Sequence, residues 1–318
     1  MTRFGYFLSS EEYDPASLIK QAELAQQAEF DALWISDHFH PWLDEQGHAS
    51  FVWSVIGAVS QVTDLPITTA VTCPTTRMHP AVVAQAAATA GLLTGGKFNL
   101  GVGTGEALNE HVTGARWPAA DERMEMLEEA VDIIASLFTG AQLTHHGKHY
   151  TVETARLYSR PQQPPPIYVS GFGEQSARLA ARIGDGYISV SPEADLVKLF
   201  RDEGGDSRPV QGGLKCCWAP DTAEARATVK RLWPTDFVPG EAAQLLPLPR
   251  HFRQLSSLVT DDMITAPVGP DPAPYLDGIR AFQQADFDEV YLGQVGGNLE
   301  GAFEFFATEL LPRAREAG

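Results

Sequence analysis

Cysteine is scarce in this chain, and basic charge is scarcer than acidic. The three cysteines are Cys73 and the adjacent Cys216 and Cys217. They form no Cys-x-x-Cys pair and no disulfide framework, and neighbours in a strand would point to opposite faces. Lys and Arg total 23 against 41 Asp and Glu, a formal net charge of -18. Such a field repels phosphate backbones and anionic lipid, so no nucleic acid and no membrane surface is expected as a partner. An anionic ligand would have to be gripped locally, at helix N-termini or by a few placed basic side chains. No apolar run reaches the roughly 18 residues of a transmembrane helix. The chain enters a strand-like run, Phe4 to Leu8, with no basic leader and apolar core ahead of it, so a cytoplasmic protein is expected. Internal repeats, low-complexity segments and long linkers are also lacking, so residues 1–318 read as one domain.

What is present is apolar content, 44% of residues, enough to bury a large core. Eight short β-rich runs recur: Phe4–Leu8, Ala32–Ser36, Ile67–Val71, Phe98–Val102, Ile167–Val169, Gly186–Ile188, Leu214–Trp218 and Glu289–Leu292. Amphipathic stretches separate them. Asp14-Pro15 supplies an N-cap and a first-turn proline, Pro80 opens the stretch to Leu93, and Met124, Leu127, Val131, Ile134 and Leu137 keep one helical stripe. This alternation predicts an α/β fold, a (β/α)8 TIM barrel with insertions, in which closure removes exposed strand edges. A doubly wound open sheet is the rival. Gln142–Val152 reads as an appended hairpin, and the Pro-rich region 234–274 as helices and loops over one barrel end.

In a β/α barrel the active site gathers at the C-terminal strand ends. The residues there are Ser9, Ser10 and Glu11; Asp37, His38, His40 and Trp42; Thr72 and Cys73; Gly103, Thr104, Gly105, Glu106 and Asn109; and Ser170, Gly171 and Gly173 ahead of a helix. The last set suits a phosphate held by backbone N–H groups. His38 beside Asp37 or Glu106 suits acid/base work, because imidazole titrates near neutrality and a carboxylate can fix its tautomer. The alternative is a capping or core histidine. Glu106 ends a glycine loop that a planar ligand could approach, or it is a solvated turn residue. Trp42 walls a ring pocket or is simply core. His38-x-His40 could begin a metal site, but the strand-five and strand-six ends supply no further imidazole, and His145, His146 and His149 read as a surface cluster, so no metal is expected.

Taken together, Gly5-Tyr6-Phe7, Ser36 to Trp42, Thr72 to Arg77 and Gly101 to Glu110 resemble the deazaflavin-dependent branch of the luciferase-like barrels. The glucose-6-phosphate and alcohol dehydrogenases of that branch are the nearest in look. The resemblance runs from Phe4 to Ile188 and fades afterwards. It implies coenzyme F420 as cofactor, His38 as base for a substrate hydroxyl, Glu106 as proton donor to the deazaflavin N1, and catalytic positions for Trp42 and Glu11. It implies cofactor contacts at Asp37, Ala70, Val71, Cys73, Gly103, Gly105, Asn109, Ser170, Gly171 and Gly173, and a non-proline cis peptide at Ala70-Val71. It also implies a homodimer.

The expected activity is a dehydrogenase passing hydride from a hydroxyl-bearing small molecule to deazaflavin C5. Where the glucose-6-phosphate enzymes hold phosphate with a threonine and a lysine, this chain has Val190 and Glu193, which disfavours glucose 6-phosphate. The rivals are a luciferase-like monooxygenase using flavin mononucleotide, and a non-catalytic F420-binding protein.

Overall fold

The computed structural model describes residues 2–316. Eight parallel strands close into a barrel in the spatial order β1-β10-β9-β8-β7-β4-β3-β2. They are β1 (Arg3–Leu8), β2 (Ala32–Ile35), β3 (Ile67–Thr69), β4 (Phe98–Val102), β7 (Ile167–Ser170), β8 (Gly186–Ser189), β9 (Val210–Cys216) and β10 (Glu289–Gln294). The intervening β5 (Leu143–His146) and β6 (Thr151–Ala155) pair only with each other, as an antiparallel hairpin. The outer layer contains α1 (Pro15–Gln27), α2 (Val52–Val59), α3 (Pro80–Leu93), α5 (Ala120–Phe138), α6 (Glu174–Ile183), α7 (Ala194–Phe200), α8 (Thr222–Leu232), α11 (Ala273–Gln284), α12 (Leu299–Phe305) and α13 (Leu311–Glu316). Short α4 (Ala107–Glu110), α9 (Ala242–Leu245) and α10 (Pro249–Ser256) lie in the β4–α5 and α8–α11 connections. No described helix is long and apolar enough to cross a membrane.

The expected barrel and all eight expected strands are present. Most boundaries shift by a residue or two, and the largest shift is at the run expected at Leu214–Trp218, which is a strand from Val210 to Cys216. Gly212 and Gly213 look like strand breakers, yet a Cβ on Gly212 would stand 2.5 Å from the Phe282 ring, and one on Gly213 2.6 Å from the Trp34 ring. Glycine is there because neighbouring aromatics fill the space. Inside the barrel Trp34 and Tyr291 stack at 4.3 Å. Below them Trp34 Nε1 donates to Gln211, whose amide donates to Glu289, which also takes the Tyr291 hydroxyl and the Arg3 guanidinium. Every strong polar group in this plug therefore has a partner, which makes its burial tolerable.

Cys216 and Cys217 go to separate apolar clusters, as strand alternation requires. The Pro-rich region forms 3-10 turns, α9 and α10. Phe252 of α10 packs with Leu43 and Leu108 from the loops after β2 and β4, which fixes that region over the C-terminal mouth.

Gly101 makes the tightest backbone approach, since a Cβ there would lie 1.9 Å from the Thr69 carbonyl oxygen. Gly101→Ala is expected to cost roughly 2–4 kcal/mol in urea unfolding, because a backbone group cannot step aside as a flexible side chain can.

Candidate active site at the C-terminal mouth

Strand β2 is followed by Ser36-Asp37-His38, and α4 follows β4 after Gly103-Thr104-Gly105-Glu106. The Asn109 carboxamide on α4 joins these two loops. Its Oδ1 accepts the backbone N–H groups of Phe39 and His40 at 2.9 and 3.2 Å, which fixes the amide's orientation. Its Nδ2 then lies 3.1 Å from His38 Nδ1 and donates to Glu106 Oε2 at 3.2 Å. One side chain thus touches both groups expected to move protons.

His38 Nδ1 also lies 3.1 Å from the His40 carbonyl oxygen. The carbonyl suits a protonated Nδ1 and the amide an unprotonated one, so either state of this nitrogen has a partner. Nε2 faces Glu11 Oε1 at 3.3 Å. Burial alone would raise the Glu11 carboxyl. The His38 imidazole, the Ser36 hydroxyl and Lys215 more than offset it, and the group sits below the usual carboxylate range. Ser36 donates to Glu11 Oε2 at 2.5 Å and Ser9 at 3.1 Å. The Glu11 carboxylate thus stands beside Nε2 as an anion. The Trp42 ring lies 5.2 Å from the His38 ring and edge-on to Phe252 at 5.1 Å, so it walls the mouth.

Asp37 is placed differently from the simplest expectation. Its side chain is wholly buried, with Oδ1 accepting Arg77 Nη2 at 2.9 Å and Oδ2 the Thr72 hydroxyl at 2.8 Å. Both oxygens are committed, so the carboxylate facing His38 is that of Glu11, and what Asp37 can offer a ligand is its backbone. Burial pushes the Cys73 thiol well up, so it packs as a neutral group.

The Ala70-Val71 peptide is cis, as the resemblance implies. Both residues are half-buried against the barrel's inner cluster. A Cβ on Gly103 would stand 2.8 Å from Val71 Cγ2 and 3.9 Å from Ser170 Cβ, so the ends of β3, β4 and β7 meet as one apolar floor. Further round, Gly173 caps α6, its N–H held by Ser176 Oγ at 3.1 Å, and Gly171 packs on Ser176. No hydrogen bond among the described residues links Ser170, Gly171 or Gly173 to the His38–Glu106 centre; they border it. No cluster of three metal-ligating side chains exists among the described residues. His145 and His149 are half-buried and His146 exposed, paired with Glu129, Glu125 and Glu153.

Sequence reasoning assigned nothing to Arg77, Glu110, Ser36 or Phe252. The first two form a buried charge cluster, whose only sequence signal is one arginine in a loop facing two acid-bearing loops.

Three comparisons bear on this site. The family model described as luciferase-like monooxygenase matches residues 1–289. The chain is 35% identical to F420-dependent glucose-6-phosphate dehydrogenase of Microbacterium testaceum, covering 99% of this chain and 98% of that one. It is 33% identical to F420-dependent hydroxymycolic acid dehydrogenase of Mycobacterium tuberculosis, covering 98% and 88%. A solved F420-dependent secondary alcohol dehydrogenase in complex with an F420-acetone adduct matches with a TM-score of 0.91 at 30% identity, covering 99% of each chain. The likeness therefore continues well past Ile188, where the sequence resemblance fades. The motifs after that point are short and the barrel geometry carries the rest.

Asn109→Ala leaves the Phe39 and His40 N–H groups without their acceptor. A loss of about 2–3 kcal/mol is expected in chemical unfolding, with faster hydrogen exchange at those two amides than in the parent.

Proposed function

Because this chain belongs to the luciferase-like monooxygenase family and, within it, to the F420-dependent dehydrogenases, we propose that it oxidises a neutral hydroxyl compound with coenzyme F420, the whole chain acting as one barrel domain. The observation that carries this reading is the shared Asn109 amide, which places His38 and Glu106 at one mouth.

The residues present fit the cofactor. The half-buried Ala70-Val71 edge and side-chain-free Gly103 leave a flat apolar floor for a planar ring, with Gly105, Asn109 and the backbone at Asp37 around it. Cys73 packs behind Gly105, where an added Cβ would lie 3.4 Å from its own. Ser170, Gly171 and Gly173 lie just ahead of α6, whose first-turn N–H groups suit an anionic tail against the chain's negative field, while the Gly171 and Gly173 N–H groups themselves are held by the Ile188 carbonyl and Ser176 Oγ. Bound there, the deazaflavin supplies a hydride acceptor at C5.

His38 takes the hydroxyl proton, its ring held between Glu11 at Nε2 and the His40 carbonyl and Asn109 amide at Nδ1. Glu11 stabilises the resulting imidazolium. Glu106, oriented by Asn109, would be the proton donor towards the cofactor. Trp42 and Phe252 close one wall and exclude water.

The substrate side argues against a phosphate. Val190, in the loop after β8, is 54% exposed, and Glu193 is exposed beside it. Lys198 is bound by Asp202 and Arg253 by Glu45. Phe39 and Phe172, in loops at the same barrel end, are also exposed, which favours an alcohol with apolar substituents over a sugar.

A homodimer is part of this reading. Helices α2 and α3 contain no charged residue, and Phe51, Val82, Leu92 and Leu93 on and beside them are exposed. In a chain with net charge -18, a charge-free face is where two copies can approach without repulsion. The three free, buried cysteines fit a reducing cytoplasm.

His38→Ala and Glu106→Gln should each lower F420 reduction by about 10²- to 10⁴-fold while cofactor affinity changes little; full turnover in either variant would remove its role. In a screen against F420, secondary alcohols should exceed glucose 6-phosphate in kcat/KM, and a flavin-bound protein consuming oxygen would overturn the assignment. Sedimentation should give a dimer for the parent and a monomer for Val82→Asp; a monomeric parent would remove the proposed interface.

A further inference from the structure

Between the loops after β2 and β4 lies a charge cluster with no part in the steps above. Arg77, in the loop after β3, donates from Nη2 to Asp37 Oδ1 at 2.9 Å, and its backbone N–H donates to Glu110 Oε2 at 2.6 Å. Its Nε stands 3.6 Å from Glu110 Oε1, and neither of those two atoms has a hydrogen-bond partner. The Arg77 side chain is 9% exposed; those of Asp37 and Glu110 are fully buried. Asp37 directly precedes His38, and Glu110 directly follows Asn109.

We propose that Arg77, Asp37 and Glu110 form a positioning clamp that sets the separation of His38 and Glu106, with Glu110 as its proton-dependent arm. Two carboxylates share one guanidinium, and a buried group of three charges carries an excess negative charge unless one acid is protonated. Burial raises Glu110 to about 7; Arg77 opposes the rise, and Glu106 and Asp37 add to it. The other titratable groups facing it are the Cys73 thiol and the Tyr150 hydroxyl. When Glu110 is protonated, Arg77 pairs with Asp37 alone and the cluster is neutral. When Glu110 ionises, the guanidinium is pulled towards α4, and with it the tie between the two loops. Between the ordinary carboxyl range and about 7 the folded protein holds a proton that the unfolded chain releases, so stability falls as pH rises through that window.

This inference rests on the proposed function only for its kinetic arm, so its first test needs no cofactor or substrate. In the ligand-free full chain, the Asn109 side-chain amide and the Phe39 and His40 backbone amides are followed by NMR from pH 5 to 8.5. An inflection with a midpoint near 7 is expected in the parent and its loss in Glu110→Gln, which keeps an acceptor for the Arg77 N–H. An inflection that persists unchanged in Glu110→Gln, or its absence from the parent, overturns the proposal whatever the protein's activity. In the kinetic arm Arg77→Met should lower kcat about 10²-fold with little change in KM, and Arg77→Lys should recover only part of that loss. A kcat within 2-fold of the parent in Arg77→Met also overturns it. Should Arg77→Met not fold, Thr72→Val, which removes the second bond to Asp37, takes its place with the same expected kcat loss.

Discussion

Two loops from opposite sides of β3 are held in one register by the carboxamide of Asn109, and the arrangement of the site follows from that contact. The amide cannot flip without losing both Phe39 and His40 N–H groups, so its donor end always faces His38 and Glu106. An imidazole and a carboxyl are thereby held to one carboxamide with distinct surroundings. His38 faces an anionic Glu11 held by two serine hydroxyls, while the Glu106 carboxylate accepts the Asn109 amide and no other hydrogen bond among the described residues. Environments that differ in this way let neighbouring groups take opposite roles in proton movement.

The barrel beneath makes this register possible. Aromatic rings fill its interior, glycines at Gly5 and Gly213 make room for them, and Glu289 joins Arg3, Gln211 and Tyr291 into a satisfied polar plug. A plug of that kind leaves the strand ends little freedom, so the loops inherit a rigid platform. The cover over the mouth comes from the Pro-rich segment, through Phe252 against Trp42 and Leu108.

Much of this was legible in the residues themselves. Eight apolar runs with helical stretches between them narrow the fold to a barrel or a doubly wound sheet, and the rule that barrel chemistry sits at C-terminal strand ends gathers Glu11, His38, Trp42, Glu106 and Asn109. Side-chain direction was not legible. Asp37 adjoins His38 in sequence, yet its carboxylate turns into the protein to meet Arg77 and Thr72, because successive residues leaving a strand face opposite ways. The start of β9 was hidden because glycine pairs signal breaks by default, whereas Gly212 and Gly213 answer to rings placed by distant segments. The role of Phe252 was hidden for a similar reason, since contacts across more than 200 residues have no local periodicity.

The central claim is that His38 and Glu106 serve one ring at one mouth. A crystal structure of the protein grown with coenzyme F420 tests it most directly. The deazaflavin should lie against Ala70, Val71 and Gly103 with both His38 and Glu106 within reach of it. A ring bound elsewhere, or reached by only one of the two, would contradict the account.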